Sequence, residues 1–113
     1  MTDNAAKFDI IIHANADYIM TLTVTDSDGN IMNLTGYTIT AQLREFPEAH
    51  DYFEFTTTHN GSGGQILMVM PHERTEKIPF TQGVYDVFAE DGNNTIEKYM
   101  YGDVVIVPSV THD

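Results

Sequence analysis

Tyr18-Ile19-Met20-Thr21-Leu22-Thr23-Val24-Thr25 carries the clearest two-residue alternation of the chain. Met20, Leu22 and Val24 fall on one side of an extended chain and Thr21, Thr23 and Thr25 on the other, which is the period of a half-buried strand and not of a helix. The stretch runs into Asp26-Ser27-Asp28-Gly29-Asn30, where Asp28-Gly29 tolerates positive φ and so supports a tight reversal. The same pattern repeats outward. After Thr35-Gly36-Tyr37, the apolar Ile39, Ala41 and Leu43 alternate with Thr38, Thr40, Gln42 and Arg44. Phe53 and Phe55 mark a strand that ends at the flexible Asn60-Gly61-Ser62-Gly63-Gly64, and Gln65 to Met70 is the next. Gly83 opens a strand over Val84 to Glu90, and Asp91-Gly92-Asn93-Asn94 turns it into a last strand or pair between Thr95 and Val110. With Phe8 to His13 this makes about seven strands, with turns roughly every ten residues, the spacing of an antiparallel β-sandwich. One helical turn is expected at Pro71-His72-Glu73-Arg74-Thr75-Glu76-Lys77, with Pro71 at the first helical position. Phe46-Pro47-Glu48-Ala49-His50-Asp51 reads as a polar surface loop.

The chain has 113 residues, 5 Lys+Arg against 17 Asp+Glu, no Cys, no Trp and a formal charge of −12. That length holds one core, and no repeat or linker divides it: residues 1–7 read as a flexible N-terminal arm and 8–113 as a single sandwich domain. So few cations exclude a nucleic-acid groove or docking on anionic lipid. Without Cys there is no disulfide framework, thiolate metal site or cysteine nucleophile. The apolar runs Ile10-Ile11-Ile12 and Val104-Val105-Ile106-Val107 are too short to cross a bilayer, and the polar N-terminus lacks a secretion signal's apolar run, so no secretion is expected.

Catalytic and metal-binding patterns are not found in the sequence. Asp26 begins an alternation of oxygen ligands, but Ile31 stands where a calcium loop needs Gly and Tyr37 where it needs a bidentate Glu. The histidines, at 13, 50, 59, 72 and 112, have no metal-ligand spacing. No nucleophile elbow or phosphate loop is present, so no enzyme and no cofactor are expected. Asp86, among Val84, Tyr85, Val87 and Phe88, reads as a strand carboxylate satisfied by solvent, Arg44 or a Tyr hydroxyl.

Leu34-Thr35-Gly36-Tyr37, set between Asp28-Gly29-Asn30 and Ala41-Gln42-Leu43-Arg44, resembles a pattern in small structural proteins of tailed bacteriophages. The resemblance continues through the Gly-rich turn before Gln65-Ile66-Leu67, the polar turn with Thr75, Gly83-Val84-Tyr85-Asp86-Val87, and Gly102-Asp103-Val104-Val105 leading to Pro108-Ser109-Val110-Thr111. It covers about Asn15 to Thr111 and is similar to the N-terminal module of lactococcal-phage upper baseplate proteins and to short Ig-like virion proteins. It implies an Ig-like sandwich, a place in the virion and a role in assembly beside other tail, neck, baseplate, fibre or capsid proteins, in many copies. A capsid decoration protein and a carbohydrate-binding or adhesion module are the alternatives.

In such a sandwich Gly36 allows a bend between strands, and Tyr37 buries its ring while its hydroxyl reaches a backbone partner at a corner. Gly83 and Tyr85 do the same at the far end. Interface candidates are apolar residues in or beside loops: Phe46 and Tyr52, then Ile78, Pro79 and Phe80, with Tyr99 and Tyr101 on the last strand. The first strand, with Phe8, Ile10 and Ile12, is expected to be an edge that pairs with a neighbouring chain. Identical acidic subunits repel within about 8 Å, so copies are expected to meet through neutral or Thr-rich faces, a basic partner or a bridging divalent cation.

Overall fold

The computed structural model describes residues 5–111. Within them the chain is an all-β, Ig-like sandwich whose strands follow the alternation of the sequence. They are β1 (Ala6–Lys7), β2 (Ile10–His13), β3 (Tyr18–Thr23), β4 (Thr38–Arg44), β5 (Phe53–His59), β6 (Gln65–Met70), β7 (Gln82–Glu90) and β8 (Ile96–Val107). The helical turn is α1 (His72–Thr75), and a single 3₁₀ turn spans Gly61–Gly63. Pro71 precedes the helix in an extended conformation instead of taking its first position.

β5 belongs to two layers. Phe53 and Phe55 pair with Leu43 and Ala41 of β4, whereas Thr56 to His59 pair with Val69 to Ile66 of β6. The larger layer therefore runs β1/β2–β8–β7–β4–β5 and the smaller β5–β6–β3. Side chains from both layers fill one core: Ile12, Leu43, Val87 and Val104 face Ile66 and Met68, all essentially without solvent exposure. Phe55 stands edge-on to Tyr18 of the smaller layer, with ring centres 5.9 Å apart, and to Tyr85 of the larger at 6.3 Å. Leu34, from the long β3–β4 connection, is fully buried beneath them.

Two features depart from the sequence reading. β2 pairs with β8 in parallel, Ile10 to Val104 through His13 to Val107, so the sheet is not antiparallel at this edge. A strand that passes directly into the opposite layer has no hairpin partner, and here almost the whole chain forms the crossover that parallel pairing requires. The second departure concerns the arm. Ala6 and Lys7 already pair with Met100 and Tyr101, so the sheet begins inside the segment read as flexible, and residues 1–4 of that arm lie outside the described residues, as does His112.

Between β1 and β2 the edge is broken at Phe8–Asp9. The Phe8 carbonyl lies against Gly102, where any Cβ would collide with it. The Tyr85 hydroxyl donates to that carbonyl from the core, and Asp9 Oδ1 accepts the Asp103 N–H at 2.9 Å and Lys7 Nζ at 2.9 Å. The Asp103 amide and then Lys7 hold the Asp9 carboxyl below its ordinary range. Tyr85 is almost fully buried, so its hydroxyl has no water to fall back on. Replacing it, Tyr85→Phe, leaves the Phe8 carbonyl without this donor and is expected to lower unfolding free energy by about 1–2 kcal/mol in urea titrations, with the m-value unchanged.

Candidate interaction surface

Two continuous apolar runs explain the surface. In a strand with one wet face every second residue is polar, yet Ile10-Ile11-Ile12 and Val104-Val105-Ile106-Val107 are apolar throughout, which makes both faces of β2 and β8 apolar there. Ile10, Ile12, Val104 and Ile106 point into the core, so Ile11 (58% exposed) and Val105 (45% exposed) stand opposite each other on the outer face. Phe46, at the start of the β4–β5 loop and 52% exposed, joins them in lining a depression of about 870 Å³. On its other side Phe46 borders a second depression of about 530 Å³ that holds Tyr52, Pro79 and Phe80.

The structure thus brings together four interface candidates, Phe46, Tyr52, Pro79 and Phe80, with Phe46 as the wall shared by both depressions. Tyr52 is half-exposed and held under the Arg44 guanidinium, 4.8 Å from the ring centre. Arg44 also donates to the Ala49 carbonyl and, at 2.9 Å, to Gln42 Oε1, which anchors the loop carrying Phe46. Phe80 leans edge-on against Phe53 at 6.0 Å. Acidic side chains rim the patch: Asp9 and Asp103 on one side, Glu45 and Asp51 on the other. Ile78 is not part of it; its side chain packs against the core.

Further up the same outer face the charge balances. Cross-strand register sets Lys7, Tyr101, Asp86 and Gln42 in one row and Lys98, Phe88 and Thr40 in the next. These rows floor a trough of about 580 Å³ whose charged walls are Lys7, Arg44 and Lys98 against Asp86, Glu90 and Asp103. Three of the five Lys+Arg of the chain are gathered on this face. Lys98 lies between Phe88 and Tyr101, 5.4 and 5.7 Å from the ring centres, and 3.8 Å from Asp86. Partial burial raises the Asp86 carboxyl against the lowering pull of Lys98 and Arg44.

Tyr99 and Tyr101 do not form a platform. Val87 pairs with Met100 but Phe88 with Lys98, so Tyr99 is the extra residue of a β-bulge. Its ring turns to the core margin with its hydroxyl 3.9 Å from Met32 Sδ, and burial lifts that hydroxyl to about 12. Of the two, Tyr101 remains on the outer face, in the trough with Phe88, so Tyr99 and Tyr101 do not present a flat pair. Tyr37 packs at the core margin, but its carbonyl rather than its hydroxyl makes the corner bond, accepting from His59 Nε2 at 2.9 Å. Gly36 has φ of 84° with open space around it, so its role is conformational, while a Cβ on Gly83 would sit 2.6 Å from the Arg44 carbonyl. Asp26 Oδ1 accepts the N–H groups of Asp28 and Asn30, both at 2.9 Å, so it serves the turn.

No protein-family model matches the chain, and no curated protein matches it in sequence. No helix among the described residues is long and apolar enough to cross a membrane.

One titratable cluster ties α1 to the β2–β3 turn. Asp17 Oδ1 accepts the His72 N–H at 2.7 Å and lies 2.9 Å from His72 Nδ1, while Nε2 lies 2.8 Å from Glu73. The buried Thr75 hydroxyl donates to the Ala16 carbonyl at 3.0 Å beside them. Hydrogen bonding to Asp17 and the charge of Glu73 raise His72; the bonds from His72 lower Asp17. Protonated His72 therefore contributes its stabilisation in full below its unfolded value, about 6.5, and loses it as pH rises through the higher folded one. Asp17 contributes above about 3.9 and loses it as pH falls through its lower folded value. An NMR titration is expected to place the His72 midpoint above 6.5, and Asp17→Asn to lower it toward that value, Glu73 keeping part of the rise.

Proposed function

We propose that this chain is a non-enzymatic structural component of a tailed-phage virion, seated in the tail, neck or baseplate and acting as an assembly or fibre-adaptor module. One observation carries the proposal: a contiguous apolar surface, Ile11, Val105 and Phe46 continued by Tyr52 and Phe80, rimmed by carboxylates on a chain of charge −12. An apolar centre of this kind with a polar rim is the anatomy of a protein interface. The acidic rim selects the partner's chemistry. A second copy would bring the same carboxylates to the rim, whereas a virion protein with an apolar knob and a basic surround satisfies both parts. The resemblance to small phage structural proteins supplies the setting, and the Ig-like fold fits it.

Mass spectrometry of fractionated particles tests the setting. The chain is expected in purified tails and not in tail-less heads; the reverse distribution favours capsid decoration, and absence from both rejects a virion role. A Phe46→Asp variant that folds normally is expected to lose about 2 kcal/mol or more of docking free energy, read as at least a roughly thirtyfold weaker affinity for the particle.

A further inference from the structure

The sandwich ends in two unclosed edges, and they are built differently. At the β1/β2 edge the strand is broken at Phe8–Asp9 into pieces of two and four residues, and Lys7 and Asp9 stand at the break. Short, interrupted and charged edges resist pairing with other chains. The opposite edge is β3, Tyr18–Thr23, which among the described residues pairs with β6 alone. It is six residues long, without bulge or interruption, and from Tyr18 to Thr25 the sequence has no charge, Pro or Gly. The outer surface beside it is uncharged as well: Ile19 (65% exposed), Thr21 and Thr23 lie next to Leu67 and Val69 of β6. On the acidic turns like charge separates copies; on this flank no charged side chain does so.

We propose that β3 is a self-association edge, which pairs antiparallel with β3 of a second copy and joins the two smaller layers into one continuous sheet. A second copy is the occupant that fits, because from Tyr18 to Thr25 two chains of charge −12 meet through neutral side chains alone. The geometry also fixes the register. A two-fold axis normal to the sheet keeps both cores on one side, so residues of the same parity must lie opposite each other. With Met20 opposite Met20, Ile19 faces Thr21 and Tyr18 faces Leu22 of the partner. Asp17 then faces Thr23, and Asp26 lies three residues beyond the partner's Asp17, roughly 10 Å away. A slip that sets Thr21 opposite Thr21 brings Asp26 within one residue of the partner's Asp17. The opposite slip places Thr21 opposite Asp17 and pairs little of the strand. Charge therefore selects the Met20 register.

The β3 pairing stands apart from the proposed function, which concerns a different partner on a different face. It is tested on the isolated full chain. Sedimentation is expected to show a concentration-dependent dimer, and Thr21→Glu, a change at an exposed position, to weaken it at least tenfold while leaving unchanged the thermal midpoint read at concentrations where both chains are monomeric. The chain has no Cys, so cross-linking reads the register directly. A mixture of Ile19→Cys and Thr21→Cys chains is expected to form an interchain disulfide faster than either alone, and Thr40→Cys, on the outer face of the larger layer, to form none. A monomer at every concentration, a dimer indifferent to Thr21→Glu, or cross-linking no better than that of Thr40→Cys overturns the inference. A dimer absent from phage particles would leave it standing and remove the virion role; a monomer found in tails would do the reverse.

Discussion

The fold turns on Phe55, the residue at which β5 leaves the larger layer for the smaller. Up to Phe55 the strand is bonded to β4; from Thr56 on it is bonded to β6. The Phe55 ring lies between Tyr18 and Tyr85, so one aromatic chain crosses the core from layer to layer and ends in the Tyr85 hydroxyl bond at the Phe8 carbonyl. Because β5 closes one side of the sandwich, the other side is left with two edges. How each is finished follows from the residues on it: Asp9, Lys7 and Gly102 break one, and nothing breaks the other.

Surface chemistry follows the same division. Carboxylates concentrate on turns and rims, where water solvates them and where Asp26 and Asp91 accept the amides of their own reversals. The cations Lys7, Arg44 and Lys98 are drawn to one sheet face, where Arg44 anchors a loop and Lys98 lies over the Phe88 and Tyr101 rings. What remains without charge is an apolar patch around Phe46 and the β3 flank. On a chain of this net charge, such areas are where approach costs least electrostatically.

Much of this was legible in the sequence, because alternation is a direct record of which side chains meet water. It located β4, β6 and β7 to within a residue or two and set Met20 and Leu22 facing inward on β3. Pairing partners were not legible: nothing in Ile10-Ile11-Ile12 states that its neighbour is β8 or that the two run in parallel, since that depends on a crossover of some ninety residues. The bulge at Tyr99 was hidden too, and with it the separation of Tyr99 from Tyr101, because one extra residue reverses the parity of everything beyond it. Of the interface residues, Phe46, Tyr52, Pro79 and Phe80 were readable as apolar side chains in or beside loops. Ile11 and Val105 were missed, although the unbroken apolar runs that contain them signal a strand with two apolar faces.

Neighbours are expected to reach this protein through its uncharged surfaces. A cryo-EM reconstruction of the assembled particle, resolved well enough to place side chains, reads those contacts out. Contacts are expected to centre on Ile11, Phe46 and Val105 and to run along β3, with basic side chains of the partner facing Asp9, Glu45 and Asp103. Contacts centred instead on the acidic turns at Asp26–Asn30 and Asp91–Asn94, made by equally acidic neighbours with no ion between them, would contradict that expectation.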